Sequence, residues 1–305
     1  MKNILVVTYS QSGQLNRIVD NILKTFDGSF NIHHEHLKPK PEFPFPWKDI
    51  RFWDAQPECV ELIPSEIEPP QFDTSIEYDL IILGYPIWFL SPPIPITTFL
   101  KSQLAKKVMN GKNVVTIIGS RNMWVSAQED VKKMISENGA NLVGNISLRD
   151  RHYNLPSVIT IIYWMTTGKK DRLWGIFPKP GISDEDISEA ERFGPAIANS
   201  VINNSFEDLQ YDLLKLKSVE IDPAILSIEK KGKKIFKLWS KFILKKGEAG
   251  NPARETRLKM FKWYLLFVIF VVSPIVTLFF YLTYPIFYTK INKQLIYYKG
   301  VKQRI

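Results

Sequence analysis

Along the first 148 residues, short β-branched runs alternate with stretches in which apolar positions recur every three or four residues. The run at 3–7 predicts a buried strand. Leu15, Ile18, Val19, Ile22 and Leu23 then predict a helix over 14–26. Further strands are expected at 30–37, 80–83, 114–118 and 140–148, with helices over 96–108 and 126–138. Strands alternating with helices imply right-handed crossovers and a doubly wound, five-stranded parallel α/β sheet covered on both faces. Ligands of such sheets bind beyond the carboxyl ends of the strands, where the loops 8–15, 84–93 and 119–124 fall.

Two segments interrupt this rhythm. Residues 38–77, with the stretch "PKPEFPFPWKDIRFW", are too rich in proline and aromatics for a plain connection and read as a lid or binding element. Residues 149–182 form a second insertion that includes "SVITIIYWM". Ser183 followed by Asp184, Glu185 and Asp186 is a helix start, because a hydroxyl caps the free N–H groups and acids suit the positive end of the dipole. That helix is expected to reach about residue 203.

The loop "TYSQSGQL" follows the first strand and opens the first helix, a place where backbone N–H groups make an anion site. Thr8, Ser10 and Ser12 supply hydroxyls, Gln11 and Gln14 amides, and Gly13 close backbone approach. The loop holds no lysine, which argues against a Walker-type nucleotide site, and it lacks a GxGxxG fingerprint. Hydroxyls without lysine suit a phosphate monoester; an ordinary tight turn fits the loop alone as well. The loop after the third strand carries Gly84, Tyr85, Pro86, Ile87, Trp88 and Phe89, an apolar wall for a planar ring. The third, "GSRNMW", adds Ser120, Arg121, Asn122 and Trp124.

Taken together, these loops resemble those of the flavodoxin-like superfamily over about residues 1–205. There the first loop wraps the phosphate of FMN; Ser10, Gln11, Ser12, Gly13 and Gln14 match its pattern, while Leu15 stands where the family has a last hydroxyl. The resemblance implies FMN as cofactor, with Trp88 stacked on the ring and Arg121 or a backbone N–H at its pyrimidine edge. "FPFPW", "GSRNMW", "YWMTTGKK" and the hydrophobic extension also resemble a bacterial dialkylresorcinol-forming group, which implies oxidative aromatisation of a dialkylcyclohexenone. Two rival functions are NAD(P)H:quinone reduction, with NAD(P)H as reductant, and electron carriage by a tethered flavodoxin.

Charge divides the chain. Residues 1–228 hold 23 Lys/Arg against 28 Asp/Glu, and residues 229–305 hold 17 against 3. The acidic body argues against a nucleic-acid partner, and the basic tail points to an anionic membrane surface. Ile235, Leu238, Trp239, Phe242 and Ile243 share a helical face among lysines, as in an interfacial helix. Residues 263–289 then run 27 positions without a charge, long enough to cross a bilayer, with aromatics near both ends. Lys and Arg flank both ends, so a kinked span and a re-entrant hairpin are both open, with the span favoured slightly. The expected organisation is a domain at 1–205 carrying both insertions, a basic linker with an amphipathic helix at 206–260, and a membrane anchor at 261–305. With no secretory signal in the sequence and one cysteine, Cys59, the body is expected at the cytoplasmic face of the inner membrane. Its partner would be a hydrophobic small molecule, and a homodimer is compatible with the pattern. His33, His34 and His36 lack carboxylate or thiol partners at ligand spacing, so no metal is expected. His152, after the fifth strand, is the candidate for acid–base work, ahead of Tyr85 and Tyr153.

Overall fold

The computed structural model describes residues 1–47 and 50–302; positions 48–49 of the expected lid and 303–305 of the expected anchor lie outside the described residues. The strands are β1 (Lys2–Thr8), β2 (Phe30–His36), a two-residue pair β3 (Pro39–Lys40) and β4 (Glu66–Ile67), then β5 (Leu80–Pro86), β6 (Asn113–Ser120) and β7 (Asn141–Arg149). Five of them form one parallel sheet in the order β2-β1-β5-β6-β7. Counted within that sheet the order is 2-1-3-4-5, the flavodoxin-like winding, which reverses between β1 and β5. The doubly wound fold expected from the apolar runs is therefore present.

Successive side chains point to opposite faces, which explains runs apolar at every position. Leu5, Val7, Ile81 and Leu83 meet α4 (Ile94–Leu100), α5 (Gln103–Met109) and α6 (Val125–Glu137) on one face. Ile4, Val6, Leu80 and Ile82 meet α1 (Gln14–Leu23), α8 (Asp184–Ser188), α9 (Gly194–Ile202) and α10 (Leu209–Lys215) on the other.

Two expected helices are broken. The one at 96–108 divides because Ser102 turns extended and its hydroxyl accepts from Ala105 N, starting α5 afresh. The one after Ser183 begins as expected, with Asp186 N donating to the serine hydroxyl at 3.0 Å, but passes through a 3₁₀ turn at Glu189–Phe193. Gly194 restarts it against α1, where a Cβ would lie 2.3 Å from Ile22 O. Within the insertions, 38–77 holds α2 (Arg51–Asp54) and α3 (Gln56–Val60), and 149–182 holds α7 (Asn154–Thr167).

The basic helix is longer than its apolar face suggested: α11 (Pro223–Leu244), with Asp222 accepting from Ala224 N and Ile225 N as its cap. It packs on α3 through Phe236, Ser240 and Ile243, and Leu238 of the expected face is 70% exposed. After it come α12 (Glu255–Phe267), a π turn at Val268–Val272 and α13 (Ser273–Lys299). Together Pro252–Lys299 is long and apolar enough to cross a membrane; its most apolar window has mean hydropathy 2.7 and is 6% buried.

Arg254, with no exposed surface, fastens the start of this segment to the first insertion, lying 2.8 Å from Glu58 and 3.2 Å from Asp54. Removing one partner of such a buried pair leaves the other charge uncompensated. Arg254→Met is expected to cost about 3–5 kcal/mol in denaturant unfolding; a loss under about 1 kcal/mol, the surface-pair level, would contradict this role. A second fastening is the buried Glu229 of α11, which accepts from Ser126 N at 2.5 Å in the first turn of α6. Burial pushes its pKa up to about 6, against the opposing pull of Ser126 and Lys233. A raised acid pKa makes its contribution complete below the unfolded value and lost as pH rises through about 6. From acid to neutral pH, the stability of the wild type relative to Glu229→Gln is therefore expected to fall by about 2 kcal/mol. Equal denaturation curves for the pair at both pH values would refute it.

Candidate functional site

The winding reversal leaves the loops after β1, β5 and β6 at one edge of the sheet. In the first, Gly13 is the N-cap of α1 with φ 77°, a left-handed conformation that glycine adopts without strain, and no side chain caps the helix. The first-turn N–H groups of α1 thus face outward, beside Ser12 and Gly13, both exposed. The structure divides the remaining expected phosphate ligands. Ser10 and Gln11 are half-buried at the loop, with Gln11 Nε2 donating to Pro44 O at 3.3 Å. Gln14 instead clamps the second insertion: its amide donates to Ile182 O at 3.0 Å and accepts from Ile182 N at 3.2 Å. Thr8 is buried, its hydroxyl 2.7 Å from His36 Nδ1, and Leu15 is a core side chain at 3% exposed.

In the second loop, Trp88 and Ser91 exchange both backbone hydrogen bonds, at 3.0 and 2.8 Å, which closes a tight turn and puts Phe89 and Leu90 at positive φ. Phe89 thereby leaves the sheet edge and packs on Phe52, 4.8 Å between ring centroids. Trp88 is covered by an aromatic roof. Its ring meets Tyr9, Phe43 and Trp47 edge-on, with centroids 5.5, 5.0 and 5.5 Å away. Pro86 and Ile87 are half-buried beside it. Tyr85 is no proton donor to a ligand, since it is fully buried with its hydroxyl bound to Gln128 and burial pushes its pKa far up.

In the third loop, Arg121 Nη1 donates to Asn154 Oδ1 at 2.7 Å, and Asn122 Nδ2 donates to the same oxygen at 3.0 Å. Burial lowers the Arg121 pKa to about 10, with Asp150 pulling the other way. Trp124, expected in the ring wall, is 1% exposed and belongs to the core. Ser120 Oγ, Asn122 Oδ1 and Trp47 Nε1 are buried on this side with no hydrogen-bond partner among the described residues. Buried polar atoms are normally satisfied, so this trio fits a polar ligand.

The two insertions close on each other above the loops. Trp47 N donates to Met165 O at 2.7 Å, and Phe45 meets Trp164 edge-on at 5.7 Å. His152 stands to one side, in a cleft of about 610 Å³ with Gly181, Ser183 and Asp186. Its Nδ1 lies 2.6 Å from Asp150 Oδ1, and Ser157 Oγ donates to Asp150 Oδ2 at 2.6 Å. Asp150, which between Arg149 and Arg151 reads as a rim charge, is 1% exposed. Asn154 and Asp150, the residues that knit this corner, carried no signal in the pattern; Phe43 and Trp47 were visible only as part of an aromatic loop. Tyr153 is 88% exposed.

No family model matches the chain, and no curated protein matches it. Among solved structures, it is similar to a flavoprotein in complex with FMN from Lactobacillus acidophilus NCFM: 20% identity, 48% of this chain and 93% of that one, TM-score 0.37. It is also similar to a flavodoxin from the domain Archaea (15% identity, 66% and 99% covered, TM-score 0.36) and to a flavone reductase (10% identity, 66% and 64% covered, TM-score 0.34). At such values the assignment of the fold rests on the strand order of this sheet, not on these likenesses.

Proposed function

We propose that this chain is an FMN-dependent oxidoreductase that works at a membrane surface on a hydrophobic ring substrate. The observation that carries the reading is the uncapped N-terminus of α1 at the switch point, facing the same edge as Ser120 Oγ and Asn122 Oδ1, which have no partner among the described residues. Ser10, Ser12 and the first-turn N–H groups of α1 would hold the phosphate, a dianion favoured at the positive end of a helix. Ser120, Arg121 and Asn122 would meet the polar edge of the ring system, and Ile87 with Pro86 its apolar face. Bound there, FMN supplies a two-electron hydride acceptor and donor.

The chain's own part is positioning, exclusion of water and handling of the proton. The roof of Phe43, Trp47 and Trp88 keeps the edge apolar. Asp150 fixes His152 through Nδ1, which leaves Nε2 as the nitrogen able to take a proton. The finer reading is dehydrogenation of a dialkyl-3-hydroxycyclohexenone, the enol of a cyclic 1,3-diketone, to a dialkylresorcinol, for which bound FMN would accept the hydride and His152 the proton. The long apolar tail supports a substrate with alkyl chains.

The full-length protein is expected to be yellow and to release FMN on denaturation. A colourless protein that cannot be reconstituted with FMN would end the reading. Gly13→Val, which puts a β-branched side chain at positive φ in the phosphate loop, is expected to weaken FMN binding by tenfold or more, on the order of 1.4 kcal/mol. In the holoprotein, anaerobic bleaching by an alkylated cyclohexenone supports aromatisation, whereas bleaching by NADPH alone supports a quinone reductase. His152→Gln is expected to slow the cyclohexenone step by about 10²–10⁴-fold with FMN content unchanged; an unchanged rate would remove the histidine from the mechanism.

A further inference from the structure

The apolar segment is fastened to the same body at both of its ends. At its start, Leu258 and Phe261 are buried, with Phe261 meeting Phe236 of α11 at 5.4 Å and Trp53 of the first insertion at 6.0 Å. At its end, Gln294 Oε1 accepts from Lys230 Nζ of α11 at 3.0 Å, and Tyr297 donates to Glu129 of α6 at 2.7 Å. Gln210 and Lys132 then donate to the carbonyls of Lys299 and Gly300 at 2.8 and 2.9 Å. Between these two moorings most positions are exposed or half-buried, and Leu278, Leu282 and Ile286 are 62, 66 and 77% exposed.

Phe236 and Lys230 are six residues apart on α11, a rise of about 9 Å. They hold the two flanks of the segment, at Phe261 and Gln294. The hydrocarbon core of a bilayer is about 30 Å thick. Flanks moored about 9 Å apart on one helix cannot lie on opposite sides of it. The 33 residues from Phe261 to Gln294 measure about 50 Å along a helix, so the segment must bend to return. Its bend has a place, because the π turn Val268–Val272 runs directly into Pro274 in the first turn of α13. The backbone stays helical throughout, so it exposes no unpaired strand edge to lipid.

We propose that the apolar segment enters an anionic bilayer from one face and returns to that face, leaving the sheet domain and residue 302 on the same side. The inference rests on the membrane-surface part of the function proposed above, and it replaces the span favoured by the charge-free run. The kind of lipid follows from the surface beside the segment. Between α11 and α13 lies a groove of about 770 Å³, where Phe279 and Phe287 face Lys231, Lys234 and Lys237. All three lysines are exposed. Apolar rings beside a row of ammonium groups match acyl chains beside anionic headgroups.

The test uses the full-length holoprotein in a bacterial host, with variants that each add one cysteine, Asp27→Cys in an exposed turn of the body and Lys302→Cys beyond α13. The native Cys59 is fully buried and stays silent to a membrane-impermeant maleimide. Both variants are expected to fractionate with membranes. Both are expected to label in inverted membrane vesicles and to resist labelling in intact spheroplasts. Labelling of Lys302→Cys from the opposite side to Asp27→Cys would overturn the one-sided topology while leaving the membrane reading intact. A protein found wholly in the soluble fraction would overturn the membrane reading, and the topology with it. In flotation, vesicles of phosphatidylglycerol and phosphatidylcholine are expected to bind the protein at least tenfold better than phosphatidylcholine alone. Equal binding to both would remove the anionic headgroup from the proposal.

Discussion

A parallel sheet that places its second strand on one side of the first and its third strand on the other must reverse its winding, and here the reversal falls between β1 and β5. The crossovers on either side of that point leave on opposite faces, so no helix covers the gap at the carboxyl edge. The candidate site is arranged around that gap. The N-terminus of α1 opens into it, the loops after β5 and β6 border it, and both insertions meet above it through Trp47 and Met165.

The same edge is mechanically joined to the tail. Lys233 of α11 reaches Leu90 O at 3.1 Å, Ser91 Oγ at 2.5 Å and Asp130 at 2.7 Å, gripping the turn after β5 and α6 together. Phe89 and Leu90 hold positive φ in that turn, a conformation that costs a non-glycine residue about 1–3 kcal/mol. It persists because the cluster on the other side absorbs Phe89: its ring lies among Phe52, Trp53 and Phe261. The loop that borders the site therefore takes its shape partly from α11 and α12. Displacement of α12 would release Phe89, and with it the turn that carries Trp88.

Most of the sheet was legible in the sequence because a strand buried on both faces leaves an uninterrupted apolar run, and few other structures do. Helix breaks were not, since Ser102 fits a helix interior by period and betrays itself only by capping Ala105. At the site, residue types were legible and orientations were not. An aromatic after a buried strand reads alike whether it lines a cleft or fills the core, and Trp124 fills the core. A glutamine beside a helix start reads as a phosphate donor, but Gln14 is used by Ile182, 168 residues away. Asp150, flanked by two arginines, gives no sign that it is buried beneath His152 and Ser157. On α11, likewise, Ile243 of the expected face is buried, but α3, remote in sequence, selects Phe236 over Leu238.

The tail shows how far a hydropathy argument reaches. Length and composition establish that a segment is compatible with a bilayer, and they are blind to where its ends are held. In this chain the C-terminal end is held by polar contacts of an ordinary kind, a lysine on a glutamine and a tyrosine on a glutamate, each worth about 1–3 kcal/mol. Alone, neither would resist the gain from burying 27 uncharged residues in lipid. The apolar mooring of Phe261 and the fully buried Arg254 add to them at the other flank, and under the one-sided insertion proposed above a bend would let the segment meet lipid without breaking either. Insertion and docking would then act in the same direction, which would favour the bent form.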